Sequence, residues 1–223
     1  MKTIILSLVV IGLACPAMAL DRTQLNDRIQ SLTASFTQME QNPATRVPAM
    51  DLARANGIIL LDRTKGAFIF GYHGGNGVAL VKDPGGHWSA PSFVSSTGAS
   101  LGPQIGGTKD FFVVLLMSPV AAESLKQPVY DFGVKASATG GSEHSGAQET
   151  WASKTAFVYG AHNGLFAGAE IKGGSVSTDN KANAIYYSRN ISPDGILFAH
   201  QAMPSQTEDQ LIAELTKYSH PHP

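Results

Sequence analysis

The chain has 223 residues and a formal net charge of −1, from 16 lysines and arginines against 17 aspartates and glutamates. Hydrophobic residues make up 43% and charged ones only 15%, a balance that excludes a disordered chain. Near-neutrality excludes a generally basic nucleic-acid binder, and the 23 glycines have no three-residue period, which excludes a collagen-like fibre.

Lys2, the apolar stretch Ile4 to Ala14 and the small residues Ala17-Met18-Ala19 read as a secretory signal peptide over residues 1–19. Its apolar core is too short for a membrane span. Residues 20–223 are then expected to form a single exported or periplasmic domain. Leu13-Ala14-Cys15 carries the alternative, in which Cys15, the sole cysteine, is lipidated and anchors a lipoprotein to the membrane. On either reading no disulfide is expected, and no later stretch is long and apolar enough to span a membrane.

From Asp21 to Glu40 the apolar residues Leu25, Ile29, Leu32, Phe36 and Met39 are spaced four, three, four and three apart, which predicts an amphipathic helix. Such a stripe docks either on the domain's own core or on a membrane or partner. Asn42-Pro43 ends the helix, and Pro48 opens a short one through Asn56, with Gly57 suited to a left-handed closing position. Short apolar runs follow at Ile58 to Leu61, Ala67 to Tyr72 and Val78 to Lys82. Asp62 to Gly66 and His73 to Gly77 between them read as turns. Phe111 to Met117 is an unbroken apolar run suited to a strand buried on both faces, and Ser118-Pro119 starts a helix from Val120 to Gln127. Further strands are expected at Val134 to Thr139, Lys154 to Tyr159, Leu165 to Lys172 and Ala184 to Tyr187. Ser205 with Glu208 forms a capping box ahead of Leu211, Ile212, Leu215 and Tyr218, the apolar face of a C-terminal helix. With no βαβ alternation, the expected class is α+β, with a largely antiparallel, glycine-rich sheet or barrel-like core between an N-terminal amphipathic helix and a C-terminal helix.

No enzyme mechanism emerges. Gly98-Ala99-Ser100-Leu101-Gly102 matches the nucleophile elbow of serine hydrolases, which needs a helix directly after the serine. Gly102, Pro103, Gly106 and Gly107 oppose such a helix, so a hydrolase using Ser100 is a remote alternative. Gly75-Asn76-Gly77 opens like a dinucleotide fingerprint but lacks its third glycine, and a hairpin turn explains it better. The seven histidines fall in no metal-ligand spacing, and the carboxylates Asp131, Glu170, Asp179 and Asp194 are not brought together by any motif. Neither a cofactor nor a metal is called for.

The middle of the chain carries an ordered set of blocks. Lys65-Gly66-Ala67-Phe68 leads into Gly71-Tyr72 and Gly74-Gly75-Asn76-Gly77, followed by Gly86-His87-Trp88-Ser89-Ala90-Pro91-Ser92-Phe93. Gly102-Pro103-Gln104-Ile105-Gly106-Gly107, Gly164-Leu165-Phe166-Ala167-Gly168 and Tyr186-Tyr187 complete the series. This order resembles the SYLF domain, a lipid-binding family with actin-binding members in eukaryotes, over residues 48–187. The resemblance implies a non-enzymatic domain that binds membrane surfaces, phosphoinositides in the eukaryotic members, with help from an N-terminal amphipathic helix. Carried onto this chain, the lipid-binding residues are Leu25, Ile29, Leu32 and Phe36, with Arg22 and Arg28 near the headgroups. For an exported protein the target is an anionic phospholipid surface, phosphatidylglycerol or cardiolipin, and actin would not be met. A scaffold that binds a protein partner through the same helix is the alternative function.

Overall fold

The computed structural model describes residues 20–66, 71–100, 108–132, 156–160, 164–165, 174–202 and 205–220. Two helices come first, α1 (Arg22–Gln41) and α2 (Ala49–Arg54). Four long strands follow: β1 (Gly57–Gly66), β2 (Gly71–Val81), β3 (Ser92–Ser100) and β4 (Thr108–Leu116). Next are α3 (Pro119–Glu123), which runs into a 3-10 turn at Ser124–Lys126, and the short strands β5 (Val129–Phe132), β6 (Ala156–Gly160), β7 (Gly164–Leu165) and β8 (Gly174–Thr178). The chain closes with α4 (Asn180–Tyr186), α5 (Pro193–Leu197) and α6 (Gln206–Tyr218). Among the described residues one sheet of eight strands runs in the order β5-β8-β3-β2-β1-β4-β6-β7. All its pairings are antiparallel. The class is the expected α+β, with a helix at each end of the chain.

Alternation along the strands sorts two cores, because successive side chains leave a strand on opposite faces. Ile58 and Leu60 of β1, Val78 and Leu80 of β2, and Val113 and Leu115 of β4 join the apolar stripe of α1 and Leu211 and Leu215 of α6. Ile59 and Leu61, Ala79 and Val81, and Val114 and Leu116 point the other way, against Ala121, Ala122 and Leu125 near α3 and Ile196 and Leu197 of α5. The central strands are therefore covered on both faces, which is why their runs are continuously apolar rather than alternating.

Several local expectations are corrected. Asp62 to Gly66 and His73 to Gly77 are not turns: they are the far halves of β1 and β2, paired in register from Gly57 opposite Val81 to Gly66 opposite Tyr72. Glycine serves here for close approach, since a Cβ at Gly77 would lie 2.2 Å from the Leu60 carbonyl oxygen. Gly57 does not close a helix in the left-handed region. It begins β1, where an added Cβ would meet the Leu116 side chain at 3.2 Å. Ala184 to Tyr187 is not a strand, for Asp179 caps α4 by accepting from the Ala182 backbone N–H at 2.9 Å. The polar strands β3 and β8, the short β5 and the helix α5 were not expected. The leader with Cys15, Val134 to Thr139, Phe166 to Lys172 and the residues just after Ser100 lie outside the described residues.

Candidate interaction surface

Helix α1 begins with a reciprocal cap. The Asp21 carboxylate accepts from the Gln24 backbone N–H at 2.8 Å, and the Gln24 side chain accepts from the Asp21 N–H at 3.2 Å. The stripe then turns inward: Leu25, Ile29 and Phe36 are fully buried and Leu32 is 1% exposed. Phe36 meets Tyr218 of α6 edge-to-face with ring centroids 5.9 Å apart, and Thr37 donates to the Glu214 carboxylate at 3.1 Å. The two arginines part company. Arg22 is exposed, with its guanidinium 5.4 Å from the centre of the Tyr186 ring. Arg28 is partly buried, 3.8 Å from the Asp179 carboxylate and 5.8 Å from the Phe93 ring centre. Burial opposes its charge, and Asp179 offsets part of that penalty.

The family blocks meet where α1, α4 and the start of β3 converge. Phe93 packs on Tyr186 with ring centroids 5.0 Å apart, and the Tyr187 hydroxyl donates to the Pro91 carbonyl at 2.7 Å. Asn183, fully buried, accepts from the Phe93 N–H at 2.8 Å and donates to the Ser92 hydroxyl at 3.2 Å. Truncating it would strand a buried N–H, which typically costs 1–3 kcal/mol. Asn183→Ala is thus expected to lower unfolding stability by about 2 kcal/mol, read as a fall in urea midpoint with unchanged slope. These tyrosines and the Trp88 to Phe93 block therefore hold the fold together.

With the stripe enclosed, the exposed large apolar side chains among the described residues are Met50 at 56%, Val129 at 50% and Val120 at 44%. Met50 and Arg54 are four apart on α2 and share its outer face. The exposed Arg46 stands in the preceding turn. The inner face is fixed: Leu52 is buried, and Asp51 accepts from the Tyr159 hydroxyl at 2.7 Å. The Lys82 ammonium closes the end of α2 by donating to the Leu52 and Ala53 carbonyls at 2.8 and 2.9 Å, and it also lies 4.6 Å from the Trp88 ring centre. An apolar side chain with the Arg54 guanidinium on the same face is thereby held on a rigid support. Sequence alone gave no face to Arg46 or Arg54 and no sign that Met50 would be the outward residue.

The catalytic decoys do not assemble. Ser100 ends β3 opposite Gly71. Asp179 is committed to capping α4 and to Arg28, and Asp194 lies 3.4 Å from the Lys126 ammonium. Among the described residues no group of three histidine, cysteine, aspartate or glutamate side chains could hold a metal, and no helix is long and apolar enough to cross a membrane.

Residues 97–218 match the Ysc84 family, described as "Las17-binding protein actin regulator". The chain belongs to this family. The Ysc84 match and the SYLF blocks agree, since the matched relatives carry the Ysc84 name. The SH3 domain-containing YSC84-like protein 1 of Rattus norvegicus is 30% identical over 192 residues, covering 78% of this chain and 53% of the relative. Protein YSC84 of Saccharomyces cerevisiae is 28% identical over 171 residues, covering 74% of this chain and 36% of the relative. LAS seventeen-binding protein 3 of the same yeast is 30% identical over 161 residues, covering 68% and 34%. The chain thus spans about half the length of the mammalian relatives it matches and about a third of the yeast ones. No solved structure matches the chain. The names are those of binding proteins and actin regulators, and they give no support to setting actin aside as a partner of this Ysc84-family chain.

Proposed function

We propose that this chain is a non-enzymatic binding domain that docks an acidic protein surface through α2. The observation that carries this reading is Met50, the most exposed large apolar side chain among the described residues, set with Arg54 on a helix that Lys82 and Tyr159 pin in place. Methionine and arginine are among the side chains enriched at protein interfaces. Relatives named for binding Las17 and regulating actin support a protein partner. Co-sedimentation with filamentous actin and crosslinking in intact cells test it. Met50→Asp with Arg54→Glu is expected to weaken capture at least about tenfold, the loss of a 1.4 kcal/mol contact, with an unchanged melting temperature. Capture by the double variant equal to that of the parent chain would remove α2 as the surface. Ester hydrolysis abolished by Ser100→Ala would restore the hydrolase reading.

The long stripe of α1 favours a second reading, an anionic phospholipid surface. In it Leu25, Ile29, Leu32 and Phe36 insert between lipids while Arg22 and Arg28 meet headgroups. Each of the four contributes about 1.5–3 kcal/mol when buried, in the core or in lipid alike. Transfer is therefore nearly neutral for the helix, but it leaves the sheet face uncovered, so α1 must be loosened first. Liposomes containing phosphatidylglycerol or cardiolipin should then deprotect the α6 amides that α1 leaves behind, and unchanged α6 protection on bound liposomes would sink this reading. Export through residues 1–19 belongs to the proposal. The intact mass of the native protein separates an acylated Cys15 from a free Leu20 terminus.

A further inference from the structure

Glu208 sits in the first turn of α6 with no exposure to solvent. One carboxyl oxygen, Oε2, accepts from the Ser205 N–H at 2.9 Å. The other, Oε1, is buried and has no hydrogen-bond partner among the described residues. The hydroxyls around it have already committed their protons. Tyr187 donates to the Pro91 carbonyl. Tyr186 donates to Asn26 Oδ1 on α1 at 3.1 Å, and with its one proton used there the Tyr186 oxygen accepts from the Ser205 hydroxyl 2.9 Å away. With those protons committed elsewhere, neither tyrosine donates to Oε1, and a buried carboxyl oxygen without a donor favours the protonated acid. We propose that Glu208 is a proton-linked latch on α1: protonated, it leaves the Tyr186 hydroxyl free to hold Asn26, and ionised, it draws that hydroxyl to itself and releases the helix.

The other charges near the site do not hold it ionised. On α6 the neighbouring Asp209 opposes ionisation. From α4 the flanking groups are Tyr186 and Tyr187, whose own ionisation is raised, first by burial and then by Glu208. From α1, Arg22 is exposed and lies over the Tyr186 ring, where water and salt screen it. Arg28 is engaged with Asp179. Burial pushes Glu208 up to about 7, against backbone and tyrosine contacts that lower it. A carboxyl raised in this way stabilises the docked state fully below its ordinary titration near 4.5, and that contribution is lost as pH rises through 7. Glu40, at the far end of α1, is a second carboxyl pushed up to about 7 by burial, but it bonds the Val47 N–H at 3.0 Å with Arg46 nearby and touches no tyrosine hydroxyl.

Hydrogen exchange of the α1 amides in the whole chain, corrected for the intrinsic pH dependence of exchange, tests the latch. Between pH 6 and 8.5 the protection of α1 is expected to fall about tenfold, the ratio set by a carboxyl that titrates near 7 when docked and near 4.5 when released. Glu208→Gln, which keeps an acceptor for the Ser205 N–H and carries no titrating proton, should remove that tenfold fall, while Glu40→Gln should leave it in place. Protection of α1 in the parent chain that is flat or rises with pH would overturn the proposal. So would a fall that survives in Glu208→Gln and disappears in Glu40→Gln. The parent chain alone supplies the first outcome, so the test stands even if the variant does not fold.

Discussion

Gly77→Ala is expected to destabilise the domain by on the order of 4 kcal/mol or more, enough to lower the melting temperature by about 10 °C. The reason is local and rigid. An alanine Cβ would sit 2.2 Å from the Leu60 carbonyl oxygen and 3.2 Å from the carbonyl carbon and the Leu61 Cα. Those are backbone atoms of β1, which is paired along its length with β2 on one side and β4 on the other. A side chain in that position could swing aside, but a ladder-bonded backbone cannot shift without moving both neighbours and the two cores they separate. Gly86→Ala supplies the contrast. Its φ of +83° is unfavourable to alanine, yet nothing lies within 4 Å of the added atom, so the expected loss is only about 1 kcal/mol. Thermal unfolding of the two variants side by side checks the ranking. Equal losses would mean that backbone conformation, not strand proximity, explains the glycines.

The same glycine shows what sequence could and could not disclose. A run such as His73 to Gly77 is rich in the residues of turns, and local chemistry argues for one. The deciding fact is nonlocal: β3, which pairs with this half of β2 from Ala79 back to Gly71, is built beyond Phe93 and Val94 of serine, threonine, glycine and alanine alone. Two paired strands rich in glycine and small polar residues support each other without an apolar run in these halves, so neither announced itself. Where the pattern was self-contained it was legible. The stripe of α1, the capping box of α6 and the doubly apolar runs of β1 and β4 each lie where periodicity puts them, because 3.6-residue and continuous patterns record burial directly. Ala184 to Tyr187 misled in the opposite way. Its isoleucine and tyrosines suit a strand, but the cap at Asp179 and the anchoring of Asn183 to β3 fix a helix.

The candidate site divides along the same line. The ordered blocks identified the family, since they depend on sequence order alone. The role given to α1 did not follow from its amphipathicity, which is equally the signature of a helix docked on its own sheet. The outward Met50 was illegible for a related reason. On a helix of six residues, no periodicity exists to say which side chain faces solvent.

Phe36→Ala is expected to destabilise the domain by about 3–5 kcal/mol, comparable with the loss at Gly77. The ring is fully buried and stacked edge-to-face on Tyr218. Its removal therefore forfeits the apolar transfer, the aromatic contact and the packing of the hole left behind. Denaturant unfolding should show a lower midpoint, and hydrogen exchange should show the α1 and α6 amides losing protection together. This size of effect also governs how the lipid reading can be tested. A charged residue in the stripe, such as Phe36→Asp, would add an unpaired buried carboxylate to the cavity and unfold the domain, so failure of that variant to bind liposomes would say nothing about lipid. A discriminating substitution must leave the core intact, and Arg22→Glu meets that condition because the side chain lies outside on the Tyr186 ring. If α1 inserts among anionic lipids, Arg22→Glu should weaken liposome binding about thirtyfold, at roughly 1 kcal/mol for each basic charge removed or acidic charge added, with the denaturant midpoint nearly unchanged. Binding unaffected by Arg22→Glu but abolished by Met50→Asp with Arg54→Glu would place the contact on α2 and leave α1 as a structural helix.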